Sequence, residues 1–286
     1  MGYSLLATGL KAALVLESLD SNLKPSVVYY YRSTGEHSSA HDRLGDAVAG
    51  YGVEVDPRSF RLSGERRLTI SIGWQYLIKE AAGLVVLHDS LLPKYRGFAP
   101  TVTALIRGDR QLGVTAIRAV DETDAGPILS QHAIGITPPI AIAEAFERLA
   151  SCYVGCIKDV LAAEDAGRYQ ERLQDNSAAT YSIWRDDLDF YVDWRQRADV
   201  IRAHVLAVGY PYSGAKSRLG DFEVCVVKAE VIDDVPFEIR QPGKIWNIHS
   251  STSADVVCGE GMLRIEVSDP LSLNTPLINR LRVRFS

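Results

Sequence analysis

Cysteine is scarce in this chain of 286 residues: there are four, at 152, 156, 225 and 258. Only the first two are neighbours, and Cys-x-x-x-Cys puts both on one face of a helix, a spacing unlike that of zinc sites or disulfides. They read as small apolar core residues in a reducing, cytoplasmic compartment. No apolar run approaches the roughly 20 residues that span a bilayer. The opening stretch meets Lys11 and Glu17 instead of a small-residue cleavage site, so a soluble chain is expected. A basic surplus is missing too. With 31 basic against 36 acidic residues and a pI near 5.7, nothing draws the chain generally towards phosphate backbones, and nucleic acid is not an expected partner. The first strand-to-helix turn, Ala7-Thr8-Gly9-Leu10-Lys11-Ala12, lacks the Gly-x-Gly-x-x-Gly that lets a backbone approach a dinucleotide pyrophosphate. This argues against a nicotinamide dehydrogenase.

What is present is ample core material, 47% hydrophobic against 23% charged residues. Residues 3–7 form an apolar run, Gly9 breaks it, and Leu10, Ala13, Leu14, Leu16 and Leu19 follow at helical spacing. Residues 27–31, 68–72 and 84–88 read as further strands, the last delivering His88 at its carboxyl end. Strands alternating with helices predict an α/β fold with a doubly wound, mainly parallel sheet, whose ligands sit outside the carboxyl ends of the strands. Apolar positions from 142 to 161 predict one long packed helix. Beyond about residue 176 the runs shorten and are separated by Gly and Pro, which predicts a smaller β-rich, barrel-type C-terminal domain. The expected domains are 1–175 and 176–286.

The stretch richest in chemistry is Leu87-His88-Asp89-Ser90-Leu91-Leu92-Pro93-Lys94-Tyr95-Arg96-Gly97-Phe98-Ala99-Pro100, with Gly113-Val114-Thr115 beyond it. A second stretch reads Val120-Asp121-Glu122-Thr123-Asp124-Ala125-Gly126-Pro127-Ile128-Leu129. Together they resemble the signature of the folate-dependent formyltransferases, a family that includes methionyl-tRNA formyltransferases and sugar-nucleotide N-formyltransferases. The similarity is strongest over 68–135 and resumes at Tyr181-Ser182-Ile183-Trp184-Arg185, Asp193-Trp194 and Gly209-Tyr210-Pro211. One departure stands out. The family's strand ends Asn-x-His, its amide binding the formyl oxygen, whereas this chain has Val86 there. The five asparagines, at 22, 176, 247, 274 and 279, all lie away from the signature in sequence.

The resemblance implies N10-formyltetrahydrofolate as co-substrate and a catalytic pair His88 and Asp124. Trp74, Leu77, Ile78, Leu91, Asp121 and Glu122 would hold the pterin. Ser90, Tyr95, Arg96 and Gly97 would line the mouth on the acceptor side, with Arg96 free to pair with a carboxylate or phosphate. The chemistry is consistent with the residue types. Formyl transfer needs a base for the amine proton and donors for a developing oxyanion. Histidine titrates near neutrality, and a carboxylate beside it can orient the ring and support its charged form. The expected acceptor is a small amine, foremost a nucleotide-linked amino sugar, on whose base Trp184, Trp194, Tyr210 and Tyr212 could stack. Two alternatives are kept: altered chemistry on the same scaffold, such as formyl hydrolysis or formylation of an amino acid or hydroxylamine, and a folate or nucleotide binder without turnover. Arg58, Arg61, Arg66 and Arg67 read as a solvated basic face, and His37 and His41 as part of a polar loop. His132, His204 and His249 lack the company of a metal site, so none is expected. The oligomeric state is left open, a homodimer included.

Overall fold

The computed structural model describes residues 2–62, 68–76, 78, 83–220, 222–268 and 284–286. The chain forms two units, one comprising Met1–Thr103, Arg110–Ile136 and Ala143–Trp184, the other Ala104–Asp109, Thr137–Ile142 and Arg185–Ser286.

The first unit is built on seven strands. Short apolar runs cannot satisfy their own backbone groups, so β1 (Ser4–Ala7), β2 (Val27–Tyr30), β3 (Gly52–Glu54), β4 (Thr69–Ile72) and β5 (Leu84–His88) pair in parallel. β1 and β4 are buried at every position, as interior strands must be. β7 (Gln111–Arg118) and β8 (Ile128–Gly135) continue the sheet antiparallel, giving the order β3-β2-β1-β4-β5-β7-β8. The sheet is thus mainly parallel, as expected, with an antiparallel edge. Because β2 lies on one side of β1 and β4 on the other, the strand order reverses between β1 and β4. The carboxyl ends at that reversal flank the crevice where such sheets hold ligands.

The helices that lie wholly or partly in this unit bury their apolar faces. α1 (Gly9–Ser18) buries seven of its ten residues, and α2 (Ser38–Ala47) buries Ala40, His41 and Leu44. α3 (Pro100–Arg107) begins at a proline whose fixed φ suits a first helical turn. α4 (Ile142–Asp165) buries Ala145, Phe146, Leu149, Cys152, Tyr153, Cys156, Ile157 and Val160 along one stripe. Each such aliphatic or aromatic side chain stabilises by roughly 1.5–3 kcal/mol when fully buried. Both cysteines belong to that stripe, and burial pushes the Cys156 thiol up to about 12. A two-residue pairing of β6 (Arg96–Gly97) with β9 (Tyr181–Ser182) holds residues 176–184 in this unit.

The second unit carries α5 (Ala198–Ala207) and five antiparallel strands: β10 (Ala215–Leu219), β11 (Phe222–Ile232), β12 (Ile245–Ile248), β13 (Ser253–Val257) and β14 (Met262–Val267), in the order β10-β11-β14-β13-β12. β14 ends in period two, with Leu263, Ile265 and Val267 buried and Arg264 and Glu266 exposed. Trp194 is buried with its indole N–H on Ser217 Oγ at 2.9 Å, packed against Phe285. Among the described residues no helix is long and apolar enough to cross a membrane.

Candidate active site

His88 ends β5, opposite Thr115 of β7. It is 6% exposed. The turn that follows is wired to the sheet. Thr115 Oγ1 donates to Ser90 O at 2.6 Å and accepts from Leu92 N–H at 3.1 Å, while Gln131 Nε2 donates to Leu92 O and to Thr115 Oγ1. Ser90 Oγ donates to Lys94 O at 2.6 Å, closing the turn from inside. Tyr95, at φ 60°, swings its carbonyl back to His88 Nε2 at 2.7 Å. A carbonyl only accepts, so Nε2 carries the proton and Nδ1 is left as the basic nitrogen.

That nitrogen faces Asp124, whose Oδ2 stands 3.5 Å away. Asp124 is itself held in the left-handed region at φ 52°, and its Oδ2 accepts the Gly97 N–H at 2.8 Å. Gly97 has φ 100°, and a Cβ there would overlap the Ser182 carbonyl, so only glycine permits the β6–β9 pairing that aims this N–H. Among the described residues, the non-glycine positions with positive φ, Tyr95, Ala99 and Asp124, all lie in these two loops. Backbone strain of this kind gathers where side chains must be aimed.

Arg96 departs from its expected place at the mouth. It is 1% exposed, and its guanidinium is spent inside: on Gln174 Oε1 at 3.0 and 2.9 Å, on Asn176 Oδ1 at 2.7 Å and, more loosely, on Glu122 at 3.7 Å. Gln174 Nε2 in turn donates to the carbonyls of Asp124 and Gly126, both at 2.7 Å. Arg96 therefore anchors the Asp124 loop from beneath; a cation so enclosed is not available to a ligand's carboxylate or phosphate. Ser90, buried and bonded within its own turn, is similarly withdrawn.

Other expected residues are distributed as follows. Asp121 and Glu122 are exposed on the Asp124 loop, and Leu91 is half-buried against Gly113. Trp74 and Ile78 are half-buried after β4; Leu77 lies outside the described residues. Trp74 packs edge-on to Tyr31 and against Phe60, and its enclosed indole N–H meets no acceptor among the described residues. His132 pairs with Asp159, His204 with Phe190 O and His249 with Asp255.

Sequence reasoning missed the ion pair beneath the histidine. Lys11 Nζ of α1 meets Asp89 Oδ1 at 2.8 Å, the carboxylate buried and the lysine half-buried, and Thr101 Oγ1 donates to Asp89 Oδ2. Burial alone would raise this carboxyl, but the Lys11 and His88 charges and the two hydrogen bonds outweigh it and hold it at about 2. A signal existed: Lys11 is a lone charge in the otherwise apolar run Leu10–Leu16. Gln174 and Asn176 carried no such signal.

With this geometry in hand, comparison with known proteins is direct. The formyl transferase family model matches residues 72–154, and that of the formyl transferase C-terminal domain matches 186–271. The chain belongs to the formyl transferase family. It is 34% identical over 189 residues to the methionyl-tRNA formyltransferase of Methylococcus capsulatus; the alignment covers 66% of this chain and 60% of that protein's length. The fold of this family member superposes on WlaRD, a sugar 3N-formyl transferase crystallised with dTDP and 5-N-formyl-THF, at a TM-score of 0.65 and 15% identity, covering 94% and 98% of the two chains. It also superposes on an N-formyltransferase from Helicobacter canadensis in complex with folinic acid and dTDP-3-aminofucose, at a TM-score of 0.60 and 13% identity, covering 93% and 99%.

Proposed function

We propose that this chain transfers a formyl group from N10-formyltetrahydrofolate to the primary amine of a small metabolite, foremost a nucleotide-linked amino sugar. The observation that carries the reading is the His88 ring, with Nε2 fixed on Tyr95 O and the basic Nδ1 turned to Asp124, at the carboxyl end of β5 in a chain of this family. The acceptor amine attacks the formyl carbon, and the carbonyl π pair moves onto oxygen. Nδ1 takes the amine proton, and Asp124 Oδ2 supports the resulting imidazolium. Collapse of the tetrahedral intermediate re-forms the carbonyl and expels the folate nitrogen, which takes the proton back from His88. In this reading residues 1–175 carry the chemistry.

The folate fits what the crevice offers. Trp74 brings an apolar indole face and an N–H without an acceptor among the described residues to a polar heteroaromatic ring, and Ile78, Leu91 and the backbone of 121–124 supply the remaining edge. The amino-sugar acceptor is supported by the ligands named for the two solved structures of like fold. A second reading rests on Val86, which packs against Leu92, Ile117 and Ile128 and offers the formyl oxygen no donor. With water in place of the amine, the same base would release formate.

Titration calorimetry of the chain with a stable N10-formyltetrahydrofolate analogue is the first test, since it needs no acceptor. One-to-one saturation is expected. Absence of binding at millimolar ligand would sink both catalytic readings, whereas formate release from N10-formyltetrahydrofolate itself, with no formylated amine, would select hydrolysis.

A further inference from the structure

The Lys11–Asp89 ion pair has no part in the transfer steps above, yet Asp89 follows directly on the histidine that performs them and lies within reach of its charge. Asp89 is the residue after His88, buried, with Lys11 on one oxygen and Thr101 on the other. Its carboxylate thereby joins three elements at one point: the end of β5, the first turns of α1 and the start of α3. The ammonium of Lys11 also stands 5.2 Å from the centre of the Phe146 ring, so it is enclosed by α4 as well. Replacing such a pair by apolar residues is often neutral or stabilising, so burial of an ion pair is not explained by stability alone.

We infer that Asp89 is a positioning residue that sets the charge environment of His88, and that Lys11 keeps it ionised. The inference rests on the formyl-transfer reading for its catalytic consequence, but its physical content is independent of the substrate. A carboxylate enclosed this way and left unpaired would take up a proton and lose its field. With Lys11 beside it, it stays charged and contributes a fixed negative charge next to the ring that must become an imidazolium. Among the described residues, the charged groups near this end of β5 include Asp124 on the β7–β8 loop, Asp89 directly after His88 and, on Asp89, Lys11 of α1. Glu36 lies beyond Lys11, its Oε2 accepting the Leu10 N–H at 2.9 Å. Arg96 is engaged by Gln174, Asn176 and Glu122.

The arrangement predicts a rescue by a second substitution that contact-making alone would not produce. In Asp89→Asn the Thr101 bond can persist, but Lys11 is left as an unpaired cation facing the site. In the double variant Lys11→Gln/Asp89→Asn both charges are gone and two amides can bond each other. The ring titration of His88, followed by NMR in the full chain, is expected to move to lower pH by about one unit in Asp89→Asn. It should return at least half-way in the double variant. Turnover should follow, kcat falling about tenfold in the single variant with KM for the folate little changed, and recovering in the double one. An unmoved ring titration in Asp89→Asn, or a double variant displaced further than the single, would overturn the inference. A native chain whose ring titration responds as described but which transfers no formyl group would overturn the proposed function and leave this inference standing. Thermal melts of each variant establish that folded protein is being compared.

Discussion

Val86 and His88 are two residues apart on β5 and so lie on one face of the sheet. The isopropyl group rests on Leu92, Ile117 and Ile128, where an amide would meet apolar neighbours on one side and the reacting formyl oxygen on the other. Loss of one oxyanion donor typically costs about 10²- to 10³-fold in rate. Restoring one by Val86→Asn should therefore raise the initial rate of formyl transfer by roughly tenfold or more, within that same range. The substitution should also lower stability by about 1–3 kcal/mol, because the amide is only partly satisfied until substrate arrives. Initial rates and urea midpoints read the two effects separately. An unchanged rate would mean that the oxyanion is already met by a backbone N–H or by protonated His88.

At the scale of elements, α1 shows how the crevice is held together. Its first free N–H groups carry partial positive charge, and Glu36 reaches back from the loop before α2 to accept one of them at Leu10. Burial raises this carboxyl above its ordinary value of 4.5, against the lowering effects of the Leu10 N–H, Lys11 and His41. An acid whose folded value is raised contributes stability that is present below its ordinary value and is lost as pH climbs through the raised one. Glu36→Gln keeps an oxygen for Leu10 and escapes that loss. Its thermal midpoint should exceed that of the native chain at pH 7 and converge with it near pH 4; a lower midpoint at pH 7 would contradict the account. Elements of this kind were only half legible in the sequence. The run Leu84–His88 announces its strand because it is apolar and preceded by Gly83, and the motif spacing brings Asp124 to the same site. Several contacts that support the site join residues 78 or 80 apart, as in Lys11–Asp89, Arg96–Gln174 and Arg96–Asn176, and local periodicity carries no information about them. Arg96 was misplaced for that reason: an arginine in a loop signature looks exposed until its amide partners arrive from far along the chain.

The whole molecule bears on the acceptor. A tRNA-binding surface gains much of its affinity from phosphate contacts, and about 6–10 of them make binding fall by roughly 10³- to 10⁵-fold between 50 and 200 mM salt. This chain has a formal charge of −5. In its densest basic stretch, Arg61 bonds the carbonyls of Arg58 and Phe60 in its own turn, while Arg66 and Arg67 lie outside the described residues. A nucleotide-linked amino sugar, by contrast, needs only a local site for two phosphates and one planar base, which a net-acidic surface can contain. If the proposed function holds, nucleotide-linked amino sugars are expected to be formylated at about 0.15 M salt, with mass spectrometry detecting the product. Aminoacylated initiator tRNA should show no retention in a gel-shift assay under the same conditions. Submicromolar tRNA binding with a steep salt dependence would reverse the assignment in favour of the acceptor named for the 34%-identical relative.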